Sequence, residues 1–284
     1  MANVRYVTSR GVSFDLLSFS SAKLQSADFH KYSWNKEVIP QQYGEVLNRF
    51  TKDAKILPCT FKFKGSRQHR ADLIERLHFE TEYDITHEQI GRLYWGNSYI
   101  DCYMITSDTY PQDDGMVYTI NDVEFYCPYP FWIQEQNIEI FASGETGDDP
   151  TAKGYTDTKY GYPYSYSGGS TTTYIDTHHF SPSWFKAIAY GPAPSVEFTV
   201  DNHLYRVNYP LRQRQYMVID SRQSAPIGRQ AYVVTEAGNI INVFDYRDTS
   251  SDLFKKFPSG HFILNYPRTY GLELTIYRER SEPI

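Results

Sequence analysis

Along most of this chain, apolar and polar positions alternate with a period of two, the mark of strands with one buried face. The pattern is cleanest between Gly91 and Trp132. In Tyr99 to Ile105, Ile100, Cys102 and Met104 alternate with Asp101 and Tyr103. In Asp122 to Cys127, Val123, Phe125 and Cys127 alternate with Glu124 and Tyr126. The stretch predicts a strand pair, a polar turn and a third apolar strand, stopped at Cys127-Pro128-Tyr129-Pro130-Phe131-Trp132. Each proline lacks an N–H, so ladder pairing should end there and leave Phe131 and Trp132 to plug the sheet edge. A second module is expected to begin after it.

Upstream, Val4 to Leu17 offers two short strands around Ser9-Arg10-Gly11, a turn whose glycine tolerates positive φ. Phe29 to Asn35 continues the aromatic rhythm with Phe29, Tyr32 and Trp34. Strands are predicted at Lys55 to Leu57 and at Thr60 to Lys64, with Lys62 and Lys64 facing out against edge pairing. Helical spacing appears at His69 to Phe79, with Ala71, Ile74, Leu77 and His78 on one side and an Asp72–Arg76 pair on the other. A second short helix is predicted at Thr86 to Leu93, with Thr86 as N-cap and Gln89 three residues on.

Phe141 to Ser181 differs in composition. It is rich in Gly, Ser, Thr, Asp, Pro and Tyr, cannot build a core, and reads as a long connector. Alternation resumes at Trp184. Val196, Phe198 and Val200 face one way, Asp201-Asn202 is a two-residue hairpin turn, and Leu204 to Val207 returns. Tyr216 to Asp220, Tyr232 to Thr235 and Ile240 to Phe244 follow. In the last strand Leu272, Leu274 and Ile276 alternate with Glu273, Thr275 and Tyr277. Short strands at such spacing predict a second sandwich or jelly roll. The expected fold is mainly β: a β-sandwich over 1–140 with one or two short helices, a connector over 141–181, and a second β-sandwich over 182–284.

Composition narrows the function. With 284 residues, 40% hydrophobic and 22% charged, the chain is globular and long enough for two cores. A net charge of −6 leaves no electrostatic footprint for nucleic acid or anionic lipid. No apolar run is long enough to insert in a membrane, and Met1-Ala2-Asn3-Val4-Arg5 lacks the apolar core of a secretion signal. The 26 tyrosines suit stacking surfaces or subunit interfaces, although aromatics favour strands in any all-β protein. Cys59, Cys102 and Cys127 are far apart in sequence, sit in apolar contexts and lack metal-ligand spacing, which fits free thiols in a reducing compartment.

No nucleophile elbow, zinc-binding helix, phosphate loop or dinucleotide fingerprint occurs. His178-His179 beside Asp176 would face opposite ways on a strand and reads as a solvated loop. Asp113-Asp114 and Asp148-Asp149 lie in turns where aspartate bends the backbone. Glu124 and Glu197 have solvent-facing strand positions. The expectation is a protein without catalytic residues, cofactor or metal.

The order of these features resembles the distal tail protein family of bacteriophage tails. The residues that carry the resemblance are Phe61-Lys62-Phe63-Lys64-Gly65 with the helix after it, then Gly91-Arg92-Leu93 leading to Tyr99-Ile100-Asp101-Cys102-Tyr103. Val123-Glu124-Phe125-Tyr126-Cys127-Pro128 and Pro130-Phe131-Trp132 continue it. Tyr160 to Tyr166, Tyr190-Gly191-Pro192-Ala193-Pro194, Val218-Ile219-Asp220-Ser221 and Arg278-Glu279-Arg280-Ser281-Glu282-Pro283 complete it, with Ala142 to Lys159 longer than the family pattern. The resemblance implies a hexameric ring in the virion tail, assembled in the host bacterial cytoplasm. The N-terminal domain would be a belt joining the tail tube protein to the tip hub protein. The C-terminal domain would be a galectin-like sandwich that docks receptor-binding protein. The alternative is a carbohydrate-binding module that stacks host saccharide on Tyr160, Tyr162, Tyr164 or Trp184, residues that serve equally as subunit contacts.

Overall fold

The computed structural model describes residues 3–17, 21–110, 117–142, 172–223 and 228–284. It is mainly β, with large antiparallel sheets and one long helix among the described residues. The chain divides into two units, Met1–Gln134 with Glu279–Ile284, and Glu135–Arg278.

The first unit runs β1 (Val4–Val7), β2 (Ser13–Asp15), β3 (Ala22–Ala27), β4 (Asn35–Pro40), β5 (Glu45–Thr51), β6 (Lys55–Lys64), α1 (Arg67–Thr86), β7 (Gly91–Trp95), β8 (Ser98–Thr109), β9 (Tyr118–Cys127) and the start of β10 (Trp132–Ile140). One layer is β2-β1-β7-β8 and the other is β3-β6-β9-β8. Strand β8 serves both. Ser98 to Cys102 pairs with β7, Tyr103 to Thr109 pairs with β9, and the register slips between Met104 and Thr106. A bulge of this kind bends a strand enough to pass from one layer to the other. Between the layers lie Tyr6, Leu57, Phe61, Phe63, Ile100, Phe125 and Trp132. Each large apolar side chain buried here is worth about 1.5–3 kcal/mol.

Three local expectations are corrected. Lys55 to Lys64 is one ten-residue strand that passes straight through Pro58. Pairing with β3 stops at Ala27↔Cys59, so Pro58 stands beyond the end of that neighbour while β9 flanks it on the other side. In an antiparallel ladder alternate N–H groups point away from a given partner, so the missing donor is tolerated. The helix extends to Thr86, so there is one helix and no second one at Thr86 to Leu93. Thr86 caps nothing: its hydroxyl donates back to the carbonyls of Glu82 and Tyr83, and Gly91–Trp95 is a strand. Trp132 does not plug an edge. It is buried in the core with its ring edge-on to Phe29, and it opens β10, where Ile133 pairs with Tyr99.

In the second unit the remainder of β10 is followed by β11 (Thr172–Asp176), β12 (Trp184–Tyr190), β13 (Val196–Val200), β14 (His203–Val207), β15 (Tyr216–Asp220), β16 (Gln230–Val234), β17 (Ile240–Asn242), a 3₁₀ turn at Phe244–Tyr246, β18 (His261–Asn265) and β19 (Gly271–Arg280), of which the last two residues belong to the first unit. One sheet has the order β17-β16-β15-β12-β19-β10 and the other β11-β18-β13-β14. Their inner faces meet in one aromatic core. Phe185 stacks on Phe257 at 4.1 Å and Phe198 on Tyr205 at 4.9 Å. The predicted hairpin at Asp201-Asn202 is present, with Val200 opposite His203 and Asp201 in left-handed backbone. Thr172–Asp176, which composition places in the connector, is a strand paired with β18, and its Ile175 is buried. Tyr277, expected outside, is buried with the Arg222 guanidinium 4.2 Å above its ring.

Candidate interaction surfaces

The first surface is the ribbon β4–β5. Among the described residues it pairs only with itself, and neither strand joins a core cluster. Gln41 N–H donates to the Gly44 carbonyl at the tip, and Lys36–Glu45 and Glu37–Arg49 ion pairs cross the strands. Val38 faces Leu47 across the ribbon while Ile39 faces Val46 on the opposite side, with a register slip between Glu37 and Val38. Apolar pairs therefore occupy both faces. Ile39 is 56% exposed and Phe50 58%. An isolated two-stranded ribbon is marginal in water, so one with two apolar faces gains stability from cover on both.

At its base the ribbon ends on an aromatic cage. The Lys52 ammonium lies 4.7 Å from the Phe131 ring centre, 5.1 Å from Trp34 and 5.7 Å from Tyr32, and it donates to Ser281 Oγ at 2.7 Å. Burial lowers the Lys52 pKa to about 8, with the neighbouring Lys55 charge adding to the fall. The Lys55 Nζ is buried with no hydrogen-bond partner among the described residues, and burial lowers its pKa too.

The helix carries a polar face inward. Asp84 is fully buried and accepts from the Ser9 backbone N–H at 3.2 Å, from the Ser9 hydroxyl and from the Tyr6 hydroxyl at 3.3 Å. Burial pushes the Tyr6 phenol well above its ordinary pKa, so it stays a donor. Arg10 reaches back to Glu80 at 3.7 Å and stacks over Tyr83 at 4.9 Å. Arg70, also buried, donates to Thr119 Oγ1 and to the Gly65 carbonyl. The Asp72 carboxylate accepts from Gln68. The three cysteines, distant in sequence, converge in the core: the Cys127 thiol donates to the Phe125 carbonyl, and burial raises the thiols of Cys59 and Cys102, with the neighbouring Cys127 adding to both.

Of the candidate residues, Tyr160, Tyr162 and Tyr164 lie outside the described residues, as do Asp113-Asp114 and Asp148-Asp149. Trp184 is 8% exposed, with the Lys256 ammonium 4.0 Å from its ring centre and Arg229 at 5.5 Å. His178 and His179 separate: His178 is exposed and pairs with Asp176 at 2.8 Å, as His261 does at 3.5 Å, while His179 is buried. The solvated-loop reading therefore applies to His178 alone, because the chain turns at its positive φ and carries His179 inward. Among the described residues no group of three or more His, Cys, Asp or Glu is placed to hold a metal ion, and no helix is long and apolar enough to cross a membrane.

The second unit holds the other surface. In β12 the residues Phe185, Ala187 and Ala189 enter the core, which turns Lys186, Ile188 and Tyr190 to the outer face of the sheet. Tyr190 pairs across the ladder with Tyr216, ring centres 6.0 Å apart, and donates its hydroxyl to Glu273 Oε1 at 2.9 Å. Partial burial and these acceptors raise its pKa to about 12, with Glu139 contributing. A cavity of about 270 Å³ opens beside it, lined by Glu139, Phe141, Tyr190, Pro192, Gly271 and Glu273 among others.

Comparison with solved structures finds the same fold elsewhere. The chain is similar to the Dit protein of phage SPP1, described as a paradigm of the hub adsorption apparatus in phages that infect Gram-positive hosts (TM-score 0.59, 12% identity, 98% of this chain and 99% of that chain). It is also similar to a chain of the phage P2 baseplate in its activated conformation with Ca, and to one from the same baseplate with Sr (each TM-score 0.66, 12% identity, 100% of both chains). No family profile and no curated protein sequence matches the chain.

Proposed function

We propose that this chain is a structural protein of a phage tail tip, a ring-forming adaptor that works by holding other proteins rather than by turning over a substrate. The observation that carries the reading is the end-to-end agreement of fold with hub and baseplate chains, both units included. The family resemblance in the sequence supplies the finer assignment. Six copies close a ring, the first unit faces the tail tube and tip hub proteins, and the second docks receptor-binding protein. Location in the virion tail follows from the same reading.

The ribbon β4–β5 supplies a physical means of closure. A ring requires heterologous contacts, in which one patch of each copy meets a different patch of the next. A ribbon with apolar pairs on both faces is suited to lie between two copies. Light scattering tests this directly. The chain should assemble to about six times its 33.1 kDa, and the double substitution Leu47→Asp, Phe50→Asp should leave monomers whose melting is nearly unchanged, since exposed positions cost within roughly 0.5 kcal/mol. A wild-type chain that stays strictly monomeric at assembly concentrations would defeat the proposal.

A further inference from the structure

We propose that the outer sheet face of the second unit is a saccharide-binding groove, with Tyr190 and Tyr216 as a stacking shelf and Glu139 and Glu273 as acceptors for sugar hydroxyls. The inference goes beyond the adaptor reading and does not depend on it.

The shelf is built by register. Tyr216 and Tyr190 stand opposite each other on β15 and β12, and the next residue in the row, on β19, is Gly271. With no side chain there, the Tyr190 ring leans over the glycine, its Cδ2 3.6 Å from where a Cβ would stand, and both residues line the cavity, with Tyr216 flanking it on the outer side. In the neighbouring row Val218, Ile188 and Glu273 lie side by side. Exposed Phe141 stands on the far rim. Four adjacent strands, β15 to β10, span about 14 Å at ordinary strand spacing, which gives an extended ligand room to run across the ladder. The cavity of about 270 Å³ falls just below the roughly 300–1,000 Å³ usual for drug-sized ligands, a fit for a single sugar ring within such a ligand.

The lining chooses the chemistry. Among the described residues it holds two carboxylates and no basic side chain, so phosphate, sulfate and acidic peptides are disfavoured there. An apolar partner would bury Glu139 and Glu273 without donors, which is costly. A compact cation prefers rings that enclose a point, whereas Tyr190 and Tyr216 lie side by side at 45°. A pyranose satisfies both halves of the site. Its C–H face lies on the aromatic rings, and its hydroxyls donate to the carboxylates. Glu273 is already oriented by the Tyr190 hydroxyl, which holds the acceptor in place before ligand arrives.

Saturation-transfer NMR on the full chain tests the site, with methyl glucoside, methyl galactoside, N-acetylglucosamine and rhamnose as probes and choline as the cationic control. At least one sugar should receive saturation on one ring face. Tyr190→Ala should abolish the transfer, Glu273→Gln should weaken binding about tenfold, and Tyr190→Phe, which keeps the ring but releases Glu273, should weaken it by less than that. Circular dichroism melting of each variant confirms that the fold is intact. Silence from all four sugars, transfer that survives Tyr190→Ala, or a response from choline alone would each overturn the proposal. A blank sugar panel with a normal ring sinks this inference only, and sugar binding by a strict monomer sinks only the adaptor reading.

Discussion

Removing the Asp84 carboxylate should destabilise the first unit markedly. In Asp84→Ala three donors lose their acceptor at once: the Ser9 N–H, the Ser9 hydroxyl and the Tyr6 hydroxyl. A hydrogen bond to a charged group is worth about 1.5–3 kcal/mol, and an orphaned buried donor costs a further desolvation penalty. Ser9 is partly exposed and recovers part of its loss from water, but Tyr6 is fully buried and cannot. Nor can the Tyr6 ring swing aside freely, because its hydroxyl crosses Gly91 so closely that a Cβ there would stand 2.7 Å from it. The sum is roughly 3–5 kcal/mol. At about 3 °C per kcal/mol for a unit of this size, the melting midpoint should fall by roughly 10–15 °C. Asp84→Asn keeps the shape and one acceptor oxygen and should cost about half as much. Denaturant unfolding followed by tryptophan fluorescence reports the change through Trp95 and Trp132. A shift below about 1 kcal/mol for Asp84→Ala would refute the argument, because it would mean that those donors are satisfied without the carboxylate.

Lys52 has a folded-state pKa of about 8 against an ordinary 10.5, so between those values the unfolded chain binds the extra proton and stability should rise with pH. Lys52→Met should flatten that rise, and an unchanged pH profile would discount the cage. The three buried thiols should resist an aromatic disulfide reagent in the native protein and release three equivalents on unfolding; rapid native labelling would contradict their placement. Gly191→Ala would set a Cβ 2.2 Å from the Arg212 carbonyl oxygen, so it should destabilise the second unit by about 1–3 kcal/mol. Hydrogen exchange should show that loss in the second unit and leave α1 unaffected.

Where one face of a strand is buried, the sequence shows it plainly. The alternation in β8, β9, β13 and β19 marks the core-facing residues, and Asp201-Asn202 marks its hairpin. The ribbon β4–β5 escaped because neither face meets a core, so Val38, Ile39, Val46 and Leu47 follow no period that points inward. The last two turns of α1 escaped for the opposite reason. Glu80, Thr81 and Asp84 look like a solvated face, and only the fold brings Ser9, Tyr6 and Arg10 to them. Pro58 reads as a strand break until the neighbour on its far side is known to have ended. Tyr190 and Glu273 are each ordinary outward strand residues, and their meeting depends on pairing β12 with β19 across about eighty residues. Local pattern carries no such information. Trp184 was legible as an aromatic opening a strand, but not as a ring already flanked by Lys256 and Arg229.

The most direct test of the adaptor reading is electron cryo-microscopy of the assembled chain. A closed six-fold ring with a central channel is expected, the first units in contact around it and each β4–β5 ribbon buried at the boundary between neighbouring copies. Particles without closed rotational symmetry, or a ring whose ribbons stand free in solvent, would contradict it.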